Sequence, residues 1–270
     1  MNSLSWRAFG QQLMSQQQRG LAMAPYTISI RNQSGSRNSY AVFSEVPNIK
    51  SGVPDIKITT RIIMSVHGVA HGSGQASFIL SKQLYANCGT YDVDSDKTNE
   101  DTSVGAVGTG TEVVDLRPVT LGRIDTTQGG KFVPGTSLEI DGLGGSPSFT
   151  PTLPDLQDGE VDRFVIRTKG HFTFQEAKLN KYVAGFSSSP RQTIGPYATF
   201  VPGPNTSYQI KPSKVFYVTV GEHNVRDLVL DDLRNAASTC RIDFGNPETD
   251  DVQLVHDQYG VLNRITAAVT

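Results

Sequence analysis

What most limits this chain is the shortness of its patterned segments. Apolar and polar residues alternate in runs that stop at Gly, Pro, Asn or Asp before they reach helical length. Such runs cover residues 26–30, 39–43, 60–67, 75–82, 83–88, 113–121, 136–140, 162–168, 182–186, 197–201, 207–210, 215–220, 238–244, 252–256 and 261–265. Period-two alternation places one set of side chains on each face of a strand, and frequent turn residues return the chain to a sheet. The 26 Gly and 14 Pro act as the punctuation,. The pattern predicts an all-β fold, a β-sandwich or barrel; a propeller would need a repeated period, and none is present.

Helices are expected only as accessories. Trp6, Phe9 and Leu13 recur at helical spacing among polar residues, which predicts a short amphipathic helix over about residues 3–18,. Thr173 and Glu176 fit a capping box and predict a short helix to about Asn180,. Residues 224–237 allow either a helix (Val225, Leu228, Leu233) or a strand (Leu228-Val229-Leu230). The domain reading is an N-terminal helical arm (1–24), a first β half (25–140), a Gly/Pro/Ser/Asp-rich linker or crossing loop (141–160) and a second β half (161–270),. An opening hairpin is expected from the runs at 26–30 and 39–43. A faint echo relates 40–44 to 182–187, 76–79 to 198–201 and 82–89 to 214–221, in the same order; a duplicated β unit or chance would produce it.

Charge and cysteine usage narrow the function. With 24 basic and 26 acidic residues and no basic run, the chain lacks the electrostatic footprint of a nucleic-acid binder,. Cys88 and Cys240 lie far apart, and neither has a metal-ligand companion; two buried free thiols are favoured over one long-range disulfide,. The N-terminus lacks a signal-peptide pattern, and no window approaches the roughly 20 apolar residues of a membrane helix, so a cytoplasmic location without a transmembrane segment is expected,.

Candidate chemistry is sparse. His67 and His71 have the i, i+4 spacing of a helical metal pair, but the surrounding glycines and the preceding strand argue against a helix,. On strand alternation Arg61, Ser65 and His67 share one face and make pocket candidates,. Lys82 and Tyr85 form a further acid/base candidate pair,. Asp92, Asp94 and Asp96 alternate as calcium ligands do, yet Lys97 and Ser103 stand where an EF-hand needs Gly and Glu, so a solvated acidic loop is preferred,. The glycines of 105–110 lack the strand–loop–helix order of a phosphate cradle, and there is no Gly-x-Ser-x-Gly elbow,. No cofactor is called for.

Several strings, YTISIRNQSGS at 26–36, YAVFSEVP at 40–47, RPVTLG at 117–122, FTFQEAK at 172–178 and YQIKP at 208–212, resemble a family of uncharacterised fungal all-β proteins. The resemblance spans most of residues 26–244. It carries no established activity, so no residue role transfers. It implies a filamentous-fungal source, in which such proteins can accompany natural-product (secondary metabolism) pathways. Independently of the resemblance, the absence of recognisable motifs joined to a large β-sandwich or barrel, which can hold a mostly apolar cavity, makes the first expectation a protein that binds an apolar small molecule, as a cofactor-free cyclase or isomerase of Diels–Alderase type would. A lectin-like carbohydrate binder and a structural or membrane-active β module are the alternatives. Exposed strand edges leave homo-oligomerisation open.

Overall fold

The computed structural model describes residues 24–53, 56–92, 110–141, 147–150, 158–189, 194–246 and 250–265. The expected N-terminal helix lies outside them. Strands are numbered along the chain, and they form four larger sheets and one small ribbon. The first sheet has the order β20 (Leu262–Arg264), β19 (Asp251–His256), β1 (Tyr26–Asn32), β6 (Gln75–Leu80), with β1 and β19 parallel. The second has β18 (Thr239–Asp243), β17 (Val215–Val220), β2 (Asn38–Ser44), β5 (Ile62–Val69). The third runs β12 (Ser148–Phe149), β11 (Ser137–Asp141), β13 (Phe164–Thr168), β16 (Ser207–Lys211), β3 (Asn48–Lys50). The fourth runs β4 (Thr59–Thr60), β15 (Ala198–Phe200), β14 (Tyr182–Ser187), β7 (Leu84–Asp92), β8 (Gly110–Val119). β9 (Arg123–Asp125) and β10 (Lys131–Val133) pair as an isolated ribbon. The all-β class is as the sequence predicts, sandwich-like, and none of these sheets closes into a barrel.

The sheets pack in two facing pairs. Across the first and second sheets, Tyr40 of β2 meets His256 of β19, and Tyr26 of β1 meets Phe216 of β17. Across the third and fourth, Phe164 of β13 meets Phe186 of β14, and Phe200 of β15 meets Tyr208 of β16. A single buried cluster holds residues of all four sheets, including Ile28, Val42, Phe164, Phe186, Phe216 and Leu254. Burying each such side chain contributes about 1.5–3 kcal/mol, so the two sandwiches share one hydrophobic driving force.

Strands from both ends of the sequence interleave in all four larger sheets. A first and a second β half therefore do not correspond to separate sheets. The echoed segments show it plainly: β7 of the first half pairs with β14, and β17 of the second half pairs with β2. The expected β1–β2 hairpin does not form. β1 pairs with β19 and β6, and β2 with β17 and β5, because residues 33–37 carry the chain from one layer of the sandwich to the other. Asn32 organises that crossing: its buried amide donates 2.8 Å bonds to the carbonyls of Ser36 and Val69.

Two helices are described. α1 (Phe174–Leu179) begins with the predicted capping box: the Glu176 amide donates to Thr173 Oγ1 at 3.1 Å, and the Thr173 amide donates to Glu176 Oε2 at 2.6 Å. α2 (Asp231–Asn235) resolves the ambiguous stretch; a turn at 225–226 precedes it, and Leu228 forms an isolated antiparallel bridge with Arg61. In the expected crossing loop, β12 adds a short strand to β11, and Gly159 bridges Gly135. There the backbones touch: a Cβ on Gly135 would lie 2.0 Å from the carbonyl oxygen of Arg163. No helix among the described residues is long and apolar enough to cross a membrane.

Candidate functional site

The alternation that placed Arg61 with Ser65 and His67 is broken by a bulge. Val42 pairs with Met64, but Phe43 pairs with Ile62, so Ile63 is the extra residue. A bulge shifts the facing of everything beyond it by one position. Ile63, Met64 and Val66 all reach the main core, whereas Ile62 joins a separate cluster with Ala41 and Phe43. Arg61 consequently turns inward and is fully buried, away from Ser65 and His67. Its Nη1 donates to the Arg226 carbonyl at 2.9 Å, and burial together with the Arg226 charge lowers its pKa to about 10 against the opposing pull of Asp227.

His67 is exposed at the end of β5. Its Nδ1 lies 2.7 Å from Glu222 Oε2, and the buried Ser39 hydroxyl donates to Glu222 Oε1 at 2.5 Å. Those two contacts, Ser39 first, hold the Glu222 carboxyl below its usual range. The carboxylate stands between the serine and the histidine. A serine nucleophile needs the histidine itself as its neighbour, and here the Ser39 oxygen instead accepts from the Gly68 amide at 3.0 Å. His71 Nδ1 accepts from the Gly35 amide at 3.0 Å, which makes it a turn anchor. Among the described residues no group of three or more His, Cys, Asp or Glu is placed to hold a metal. Of the calcium candidates, Asp92 ends β7, and Asp94 and Asp96 lie outside the described residues. Cys88 and Cys240 are free thiols, and burial raises both pKa values, most strongly that of Cys88.

Lys82 does enter a concave site. It sits where the chain leaves the first sandwich for the second, between β6 and β7, facing the return crossing at Pro212–Lys214. The cleft is lined by Tyr26, Ser81, Lys82, Leu84, Leu121, Tyr197, Pro212, Ser213, Lys214 and Phe216, with a free volume of about 80 Å³. Lys82 Nζ is 2.7 Å from both Asp250 oxygens and 4.7 Å from the centre of the Tyr26 ring. That combination fixes an otherwise flexible ammonium at the rim. Tyr85 does not line the cleft; it lies further along β7, opposite Ser187 and Pro118.

The wall of the cleft ends an aromatic series that crosses the molecule. Phe164, Phe186, Tyr197 and Phe216 meet edge to face at 5.8, 5.7 and 5.5 Å, and Phe216 then meets Phe244 at 5.9 Å. Tyr26 stacks on Phe244 at 4.4 Å. Such pairs add about 0.5–1.5 kcal/mol beyond area burial, so this wall is rigid. Tyr197 is the anomaly. Its ring is buried and its hydroxyl closes no hydrogen bond; Ser188 is near enough to favour the ionised form, without the geometry of a bond. Burial drives the phenol well above its ordinary range. Tyr26 is also raised, by burial first and then by the Asp250 charge.

Of the sequence candidates Arg61, Ser65, His67, Lys82 and Tyr85, only Lys82 lines this cleft. Tyr26, Tyr197, Phe216 and Asp250 escaped the sequence reading because they look like ordinary strand or turn residues, and nothing local marks their convergence. Comparison with known proteins finds no matching family model, no matching curated protein and no matching solved structure.

Proposed function

We propose that the protein binds a small, mostly apolar molecule at the junction of its two sandwiches. The observation that carries this reading is the buried, unpartnered Tyr197 hydroxyl in an aromatic wall that opens on a cleft with a fixed ammonium at its rim. Ligand sites are commonly apolar, lie between packed units and hold a few convergent polar groups. An unmade hydrogen bond in such a wall costs stability in the empty protein and returns affinity when a ligand acceptor makes it.

The cleft's size restricts the ligand. A free volume of about 80 Å³ is roughly half that of a cavity that takes benzene, so one compact end of the ligand enters while the rest lies over Leu121 and Pro212. A carbonyl near the entering end would serve both Tyr197 and Lys82. A cofactor-free cyclisation or isomerisation of a fungal natural product in the cytoplasm fits that description, with Lys82 and Tyr197 polarising the carbonyl and the wall orienting the chain.

Native mass spectrometry followed by denaturing extraction tests the reading. A stoichiometric apolar molecule that co-purifies with the protein, and is lost from Leu121→Asp, supports it. A clean mass for the protein, unchanged after incubation with an organic extract of the source cells, would count against it.

A further inference from the structure

We propose that the β9–β10 ribbon is a membrane-docking element, which seats its exposed apolar pair in the surface of an anionic phospholipid bilayer. Neither strand joins a larger sheet; each pairs only with the other. No residue from Arg123 to Pro134 is buried, and none lines the junction cleft. The base, by contrast, is locked. Gly122 and Gly135 are buried; their amides donate at 2.9 Å to the carbonyls of Arg163 and Gly159 respectively. The tip is locked as well. The Asp125 carboxylate accepts from the Thr127 amide and hydroxyl at 3.0 and 2.6 Å, and Gly129 and Gly130 take the positive φ values of 69° and 82° that turn the chain,. The ribbon is thus a firm arm held out from the body.

What the arm presents is apolar. Ile124 and Phe132 are opposite each other in register, so both side chains stand on one face of the ribbon,. They are 49% and 44% exposed. A two-stranded ribbon has little stability of its own, yet this one leaves its two largest apolar side chains in contact with water. Val161, bridged to Gly122 at the base, is a third exposed apolar residue. Charge and area select the occupant. The ribbon carries Arg123 and Lys131 against one carboxylate, Asp125, and its tip at 126–130 is uncharged. The acids on either side of Val161 are matched, Glu160 by Lys50 and Arg163, and Asp162 by Lys211. An apolar pair with a net positive surround is what holds a peripheral element to an anionic lipid surface, where a few side chains enter and cations meet the headgroups. A protein partner fits less well: a stable interface buries about 800 Å² on each side, and the apolar face here is only two or three side chains wide.

Vesicle co-sedimentation tests this on the full chain, with phosphatidylcholine alone and with about a third phosphatidylserine. Binding to the anionic vesicles is expected, at least about fivefold stronger than to the neutral ones. Lys131→Glu, which leaves the apolar pair intact, should weaken it about tenfold. Ile124→Ser and Phe132→Ser should each weaken it about threefold to tenfold, since half of each side chain's area remains to be buried; both sites are exposed, and circular dichroism should show the fold retained. Phe132→Trp in a Trp6→Phe background leaves one tryptophan, on the ribbon. Its emission should shift to the blue when anionic vesicles are added and should be quenched by lipids brominated in their acyl chains. No sedimentation with anionic vesicles, sedimentation undiminished in both serine variants, or an unshifted tryptophan would each overturn the assignment. So would a dimer in analytical ultracentrifugation that Phe132→Ser dissociates, which would give the face to a second copy of the chain.

Discussion

Tyr197→Phe separates stability from function. The substitution removes one oxygen from a ring that is otherwise packed against Phe186 and Phe216. That oxygen is buried and closes no hydrogen bond. A buried hydroxyl without a partner costs about 1–3 kcal/mol in proteins. The small void left behind offsets part of the gain, so the variant should be more stable than the parent by about 1–2 kcal/mol. In a chain of this size that is a rise in Tm of roughly 2–8 °C. Guanidinium unfolding followed by far-UV circular dichroism should show a higher midpoint at an unchanged slope. The same variant should bind a carbonyl-bearing ligand about twofold to tenfold more weakly, the worth of one neutral hydrogen bond. A variant less stable than the parent by more than about 1 kcal/mol would show that the hydroxyl has a partner, Ser188 being the nearest claimant, and would remove the central support for the junction site.

Three further changes probe the fold. Folding lowers the pKa of His256, mainly through burial and against the pull of Asp257; between that lowered value and the unfolded value near 6.5 the unfolded chain binds more protons, so stability is full above about pH 6.5 and falls as pH drops below it. Tyr40→Phe, which removes the hydroxyl 3.0 Å from His256 Nδ1, should cost about 1–3 kcal/mol at pH 7.5 by urea unfolding and should shrink that acid-side decline. Thr173→Ala should cost about 1 kcal/mol and speed amide exchange within α1 first, since it removes one half of the capping box,. Gly135→Ala forces a Cβ to within 2.0 Å of the Arg163 carbonyl oxygen; a loss of more than about 3 kcal/mol, or failure to fold at 37 °C, is expected by thermal melting.

Local signals were readable where a few adjacent residues decide the outcome. The alternation of Tyr26-Thr27-Ile28-Ser29-Ile30 becomes β1, and Thr173 with Glu176 caps α1 as their spacing requires. Decisions taken by distant residues were not. The turn at 33–37 looks the same whether it closes a hairpin or crosses between layers, and it crosses because the partner of β1 is β19, at the far end of the chain. One extra residue at Ile63 reversed the facing of Arg61, and no composition rule announces a bulge,. Lys82 shows the same limit: Tyr85 is close to it in sequence, but Asp250 is the residue its ammonium meets in space. The cleft is built from Tyr26, Tyr197 and Phe216, each unremarkable in its own run.

Interleaving bears on how the site behaves as well as how it was hidden. The cleft lies at the crossings between sandwiches, where Lys82 follows β6 and Pro212–Lys214 lead into β17. Those crossings are fixed only when β1 has met β19 and β2 has met β17, pairings that close very long loops. Loop-closure entropy must be met before such contacts return free energy, so folding should be slow and the last-formed contacts should include the junction. The aromatic series counters this by joining both sandwiches through Tyr197 and Phe216, so neither can open without unpacking the other. A ligand of the proposed kind, seated there, would bridge the same crossing segments. It would bind only the assembled state, and it should therefore raise the stability of both sandwiches together rather than that of one.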